Sequence, residues 1–187
     1  MRLVACAVAG VVIGSGAAVW SVRAGAMGAQ TAIGPWTTGR DFGSARADRH
    51  VRAVVALRGL LALPASEARY YNAAVDNAGR PLDGRCDYRV HGGALPAKWW
   101  SLTLYDRAGY LVANPAGIYS LGSASLSAAE AARWQLLISA EAKPGRWLPV
   151  GSPKPFELTL RAYLPEDGGK GDFTAAQLPQ IERLQCR

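Results

Sequence analysis

"KWWSLTLYDRAGYLVANP", residues 98–115, decides how this chain is read. In an extended backbone successive side chains point to opposite faces, so Trp100, Leu102 and Leu104 share one side. Trp99, Ser101, Thr103 and Tyr105 share the other. The first set is core. The second set, aromatics beside hydroxyls, suits a sugar or amphipathic ligand, or else forms the second buried face of a central sandwich strand. The buried face is the favoured reading. Asp106-Arg107-Ala108-Gly109 closes the strand, with Gly109 supplying the positive φ of a short loop. Tyr110 to Asn114 is then expected to return as the second strand of a hairpin.

Working outward, "ARYYNAAVD" (residues 68–76) ends in the same D-x-A-G pattern at Asp76–Gly79. "CDYRVHG", "WQLLISA" and "PFELTLRAYL" read as further strands divided by turn signals. In the last, Phe156, Leu158, Leu160 and Ala162 alternate with Glu157, Thr159, Arg161 and Tyr163, which describes one buried and one wetter side. Short strands at this spacing predict a mainly β fold, an antiparallel β-sandwich or jelly-roll-like domain with one or two helices. One helix is expected at about 45–63, with Ser44 as N-cap and Asp48 in the early turns. Ala53, Leu57, Leu60 and Leu61 lie on one side of it, and Pro64 ends it.

The N-terminus carries a different signal. Leu3 to Val22 has no charged residue and is bracketed by Arg2 and Arg23. At about 1.5 Å per residue it crosses the ~30 Å hydrocarbon core of a bilayer. Trp20 sits at the level of an interfacial anchor. A cleaved signal peptide is the rival, because Ala24-Gly25-Ala26 resembles a cleavage site, but the apolar run exceeds the usual h-region and a retained anchor is favoured. Gly10 and Gly14 form a GxxxG pair that arises easily by chance in so small-residue-rich a run. "LVAC" ending at Cys6 imitates a lipobox whose apolar region falls on the wrong side of the Cys. Residues 1–23 are therefore read as anchor, 24–43 as a Gly-rich linker, and 44–187 as a single globular domain. Within that domain the sandwich spans about 67–165 and residues 166–187 form a tail. Pro35-Trp36 in the linker is placed to dock on the domain.

The net charge of +7 comes from 21 Lys+Arg against 14 Asp+Glu. The basic residues are scattered and stand beside acids, as in Asp48-Arg49, Asp87-Tyr88-Arg89 and Asp106-Arg107. No basic stripe with interleaved aromatics exists, which argues against nucleic acid as a partner. Cys86 and Cys186 are the only cysteines beyond the apolar segment, as one disulfide in an oxidising compartment requires. Two reduced, buried thiols are the alternative. The positive-inside comparison of Arg2 with Arg23 and Arg40 barely distinguishes the two orientations.

Catalytic and metal motifs are missing from the sequence. His50 and His91 lie on unrelated elements, and no HxH, HExxH or CxxC occurs, so no metal or other cofactor is expected. There is no G-x-S-x-G elbow, P-loop or dinucleotide fingerprint. Asp83 and Asp87 are the one candidate pair of catalytic carboxylates, of the kind a glycosidase uses.

In order along the chain, "DNAGRPLDG", "WWSLTLYDRAGYLVANP", "IYSLGS", "RWLPV" and "PFELTLRAYLP" resemble the domain of unknown function 1214 family over roughly Glu67 to Pro165. The "GPW" and "ALRGLLALP" segments before it are similar to those of short, membrane-anchored bacterial members. The resemblance implies a jelly-roll-like sandwich with helical additions and an activity that is not established. In longer relatives another domain precedes this one, and no stretch here resembles it. The family often has Asn before Trp-Leu-Pro where this chain has Arg146, which places Arg146 among the candidate ligand-surface residues with Trp99 and Tyr105. The reading that results is a single-pass protein of a bacterial inner membrane with its domain in the periplasm. It is expected to be a non-enzymatic binding or envelope-accessory module for carbohydrate or another envelope component. The alternative is a hydrolase using the Asp carboxylates.

Overall fold

The strand built by the opening stretch is β5 (Ala97–Asp106), and it lies between β9 (Phe156–Pro165) and β6 (Ser120–Gly122). The computed structural model describes residues 2–28, 30–39, 43–57, 62–152 and 154–187. On the other side of β9 come β3 (Ala68–Ala73), β2 (Trp36–Thr38) and β1 (Thr31–Ile33), completing a sheet ordered β1-β2-β3-β9-β5-β6. A second sheet is ordered β10-β4-β7-β8, from Gln180–Cys186, Cys86–Gly92, Trp134–Ser139 and Trp147–Pro149. The domain is mainly β, as the strand spacing predicts. The pairing is antiparallel except between β7 and β8, which run parallel. Residues 140–146 double back between them, with Gly145 at φ +79°.

Alternation fixes which face meets the core. Trp100, Leu102 and Leu104 of β5 and Phe156, Leu158, Leu160 and Ala162 of β9 are buried. They face Tyr88, Val90, Leu136, Ile138, Leu148 and Ile181 from the second sheet, all in the same hydrophobic cluster. Two aromatic pairs span the gap between sheets: Trp100 and Trp134 at 4.6 Å between centroids, and Tyr88 and Phe156 edge-to-face at 5.6 Å. Such pairs add to the area-proportional gain of burial and lock the relative register of the two sheets.

Both D-x-A-G turns form as the sequence implies. Gly79 N–H donates to Asp76 O at 2.9 Å and Gly109 N–H to Asp106 O at 3.0 Å, with φ +76° and +88°. In each, the Asp Oδ1 accepts two more backbone N–H groups, from Ala78 and Arg80 or from Ala108 and Tyr110. The expected return strand after Asp106 does not form. Leu111 makes only an isolated bridge to Tyr105. Asn114 then ties the loop to itself, donating to Val112 O and Ile118 O and accepting from Ile118 N–H. The short β6 takes the neighbouring place instead.

Three further readings are revised. The helix expected at 45–63 is α2 (Arg49–Leu57), capped by Asp48, whose Oδ1 accepts from His50 and Val51 N–H; Ser44 only closes the turn before it. Leu60 and Leu61, expected on its apolar side, lie outside the described residues, as does Arg40. Part of the stretch read as linker enters the fold: β1 and β2 extend the larger sheet, and Trp36 is buried with Nε1 donating to Pro179 O at 2.7 Å. The tail likewise supplies β10 and buries Phe173, Leu178 and Ile181. A disulfide joins Cys86 to Cys186 across 100 residues, fastening β10 to the start of β4.

Helix α1 (Arg2–Gly28) is long and apolar enough, over Arg2–Ser21, to cross a membrane. A signal sequence at an N-terminus has the same signature. Leu3, Val11, Ile13 and Trp20 are exposed along it.

Candidate functional site: the outer face of the larger sheet

The residues opposite the core on β5 and β9 come into direct register. Trp99 pairs with Tyr163, Ser101 with Arg161, Thr103 with Thr159, and Tyr105 with Glu157. Directly opposed residues on one face of an antiparallel pair stand about 4.5–5.5 Å apart at Cβ, so their side chains touch. Trp99 and Tyr163 lie with ring centroids 4.9 Å apart. The indole packs against the neighbouring strand. A Cβ on Gly122 of β6 would stand 3.4 Å from Trp99 Cζ2, so the ring reaches across β6 over a residue without a side chain. With 39% of its surface exposed, Trp99 presents an aromatic area to solvent that the buried Trp100 beside it does not.

Arg161 fills the middle of this face. One terminal nitrogen donates to Tyr105 Oη at 2.9 Å and the other to Thr103 Oγ1 at 3.4 Å, while the guanidinium carbon lies 5.4 Å from the Tyr105 ring centre. Ser101 and Thr103 are thereby covered. Thr159 Oγ1 donates to Asn72 Oδ1 at 2.8 Å, extending the polar row onto β3. The outer face is thus divided. The hydroxyls of Thr103, Tyr105 and Thr159 are engaged within the face, and its aromatic end at Trp99 is open.

The remaining predicted residues lie elsewhere. Arg146 is engaged with Glu130 at 2.6 Å and with Ser125 O at 2.9 Å. Glu130 also completes a capping box with Ser127 at the short helix α3 (Ala128–Ala131), and the Arg146 guanidinium together with these hydrogen bonds lowers its carboxyl pKa to about 2. That places Arg146 as a clamp on the 125–130 loop, its guanidinium occupied by Glu130 and Ser125.

Asp83 and Asp87 are each held by cations. Arg85 chelates Asp83, with Nη2 at 2.7 Å from Oδ2, and lowers the Asp83 pKa. Burial opposes ionisation of Asp87, but hydrogen bonds from Lys143, Ser139 and Gln185 outweigh it and the pKa is again lowered. Lys143 Nζ stands 2.8 Å from Asp87, and Arg187 bridges Asp87 to Glu141. A depression of about 480 Å3 beside this network is bordered by Leu137, Lys143 and Leu184. A general acid needs a raised pKa near working pH, and neither carboxyl has one. His91 contacts Glu182 at 3.1 Å, and His50 Nε2 lies 3.4 Å from Ser21 Oγ. Among the described residues no group of three His, Cys, Asp or Glu side chains is arranged to hold a metal.

Sequence reasoning named Trp99 and Tyr105 but passed over Tyr163 and Arg161. Both stand on the wetter side of the β9 alternation. What was missing is the β5–β9 register, which spans more than fifty residues and leaves no local trace.

Fold and site define a two-sheet β-sandwich with an apolar N-terminal helix and an aromatic, Arg-centred outer face. The chain belongs to the family described as "Protein of unknown function (DUF1214)", which matches residues 67–167. A crystal structure of a protein from Vibrio parahaemolyticus is similar at 27% identity with a TM-score of 0.61, covering 76% of this chain and 37% of that one. An uncharacterised protein from Burkholderia cenocepacia is similar at 23% identity and a TM-score of 0.44, covering 65% of this chain and 30% of that one. The chain therefore spans well under half the length of either solved relative. No curated protein matches it.

Proposed function

We propose that this protein is a membrane-anchored periplasmic binding module that holds a carbohydrate of the cell envelope on the outer face of its larger sheet. The observation that carries the reading is the Trp99–Tyr163 pair, set 4.9 Å apart on the outer face with Trp99 exposed to solvent. Sugars present flat apolar C–H faces edged by hydroxyls, so a solvent-facing aromatic bordered by polar donors complements them. The Cys86–Cys186 bond supports an oxidising compartment, and the apolar helix α1 supports retention at a membrane. The hydrolase alternative would need a raised carboxyl pKa, and both Asp83 and Asp87 are shifted the other way.

The test is a panel of envelope oligosaccharides against the full chain in mild detergent, read by calorimetry, beside a Trp99→Ala variant. Loss of a stacking aromatic is expected to weaken binding about three- to tenfold, on the scale of aromatic stacking energies. Equal binding by both proteins would remove Trp99 from any ligand site. Carbonate washing of membranes tests the anchor, because release of the chain would show that α1 does not hold it there.

A further inference from the structure

We infer that Arg161 makes this face selective for acidic glycans, its guanidinium receiving a carboxylate or sulfate of a glycan chain that also stacks at Trp99 and Tyr163. The inference rests on the proposed glycan-binding role and specifies the ligand class. A guanidinium carries five N–H donors in a planar fork. Arg161 uses one terminal nitrogen toward Tyr105 and the other toward Thr103, both neutral hydroxyls. It forms no ion pair with any carboxylate among the described residues. That sets it apart from the cations of the other sheet's outer side, where Arg89 meets Glu182 and both Lys143 and Arg187 meet Asp87. Partial burial against Tyr105 holds the fork in one orientation, which reduces the entropy lost when it grips an anion.

The acids nearby fix the direction of approach. Glu157 shares the outer face and pairs with Tyr105, four residues from Arg161 along β9. It repels an anion from that end. On the opposite side Arg161 is followed by Tyr163 at the next position of the same face, roughly 7 Å along the strand. The guanidinium itself leans toward Thr103 and Tyr105, so a glycan chain resting on the aromatic pair reaches it with a unit further along the strand, approaching from the side opposite Glu157. Charge-assisted, two-pronged contacts to a planar carboxylate or a sulfate are the strongest that such a fork makes.

The experiment uses the full chain in neutral detergent and three size-matched probes: a neutral glucan hexasaccharide, hexagalacturonate and a sulfated hexasaccharide. At least one acidic probe is expected to bind about tenfold tighter than the neutral one, an excess that shrinks as salt rises. Arg161→Gln should abolish that excess and bring the probes within about twofold of each other, while Arg161→Lys keeps part of it. Arg133→Gln, which removes the same charge from an exposed position away from the face, should leave the excess intact. Retained binding of the neutral probe by Arg161→Gln certifies that the variant is folded. Preference for the sulfated or the carboxylated probe identifies which acid the fork takes, and either supports the inference. Equal affinity of the parent for neutral and acidic probes overturns it while leaving glycan binding standing. So does an excess that Arg133→Gln reduces as much as Arg161→Gln. Failure of every probe overturns both.

Discussion

Reducing the Cys86–Cys186 bond should lower stability by several kcal/mol while leaving the fold in place. The bond closes a loop of 100 residues. In the chain-entropy treatment a loop of that length restricts the unfolded ensemble by about 4.7 kcal/mol at 25 °C. The folded state has other ties for the same segment, so it should persist without the bond. Strand β10 keeps its ladder to β4, Ile181 stays in the core, and Trp36 Nε1 still donates to Pro179 O at 2.7 Å. With a urea dependence of about 2 kcal/mol per molar, the oxidised and reduced midpoints should differ by about 2 M. Reduction, unlike replacement of the buried Cys86, leaves core volume unchanged. The assay is urea titration followed by tryptophan fluorescence, since Trp100 and Trp134 stack in the core, with and without a phosphine reductant. Thiol titration before and after reduction should give one reactive group, the exposed Cys6, and then three. A midpoint shift below about a quarter of the expected value, with the slope unchanged, would refute the argument that this bond restrains the unfolded chain.

Asp76 should make the domain's stability sensitive to acid. Burial works against its ionisation, yet backbone N–H groups of Arg80 and Ala78 and the Arg80 guanidinium outweigh it and lower the pKa. Arg183 Nε adds a contact at 3.1 Å. A carboxyl with a depressed pKa when folded contributes stability that is present above its unfolded value near 4 and lost as pH falls below it. The urea midpoint should therefore be level from neutral pH down to about 5 and decline below about 4, and Asp76→Asn should lie lower at neutral pH with a shallower decline. Replacement by Ala, which strands Arg183 beside a buried void, should cost about 3 kcal/mol. At Gly151 the backbone has φ +68°, and a Cβ would stand 2.4 Å from Ala113 O. Gly151→Ala should thus lower the midpoint far more than Gly79→Ala, a turn with open space around it, as differential scanning would show.

The alternation of "WWSLTLYD" and "PFELTLRAYL" was enough to assign the buried faces of β5 and β9, because a strand's period is short and its core face nearly pure. The D-x-A-G turns were equally plain, since Asp and Gly each perform a local task there. What lay beyond reach depended on distant chain. "YLVAN" has the composition of a strand, but Asn114 binds its own loop and leaves the edge to three residues at 120–122. The parallel β7–β8 pair, and the entry of residues 31–38 and 180–186 into the sheets, follow from partners far along the chain. Ser44 and Asp48 both suit an N-cap, and only the structure shows that Asp48 takes the role.

The same locality explains why the two outer faces differ as they do. On the smaller sheet, Glu182 of β10 contacts both Arg89 and His91 of β4, and Asp87, Lys143, Glu141 and Arg187 form a second network beside them. Each of these charges already has an opposite partner, so a charged ligand arriving there must displace one salt bridge to make another. Little free energy separates those two states. On the larger sheet the arrangement is reversed. Arg161 is surrounded by hydroxyls and aromatic rings, whose hydrogen bonds and π-face hold the cation without neutralising it. An acidic group arriving there exchanges water for a preorganised fork and displaces no ion pair, which is the condition under which a surface arginine gains affinity from its charge. Trp99 extends that site into an apolar surface. Trp99 is exposed beside Tyr163 on a strand flanked by β9 and β6, so it offers a flat apolar surface without opening a sheet edge. Binding to a glycan gives a physical reason for a tryptophan to occupy the solvent side of a strand whose other side already holds the core.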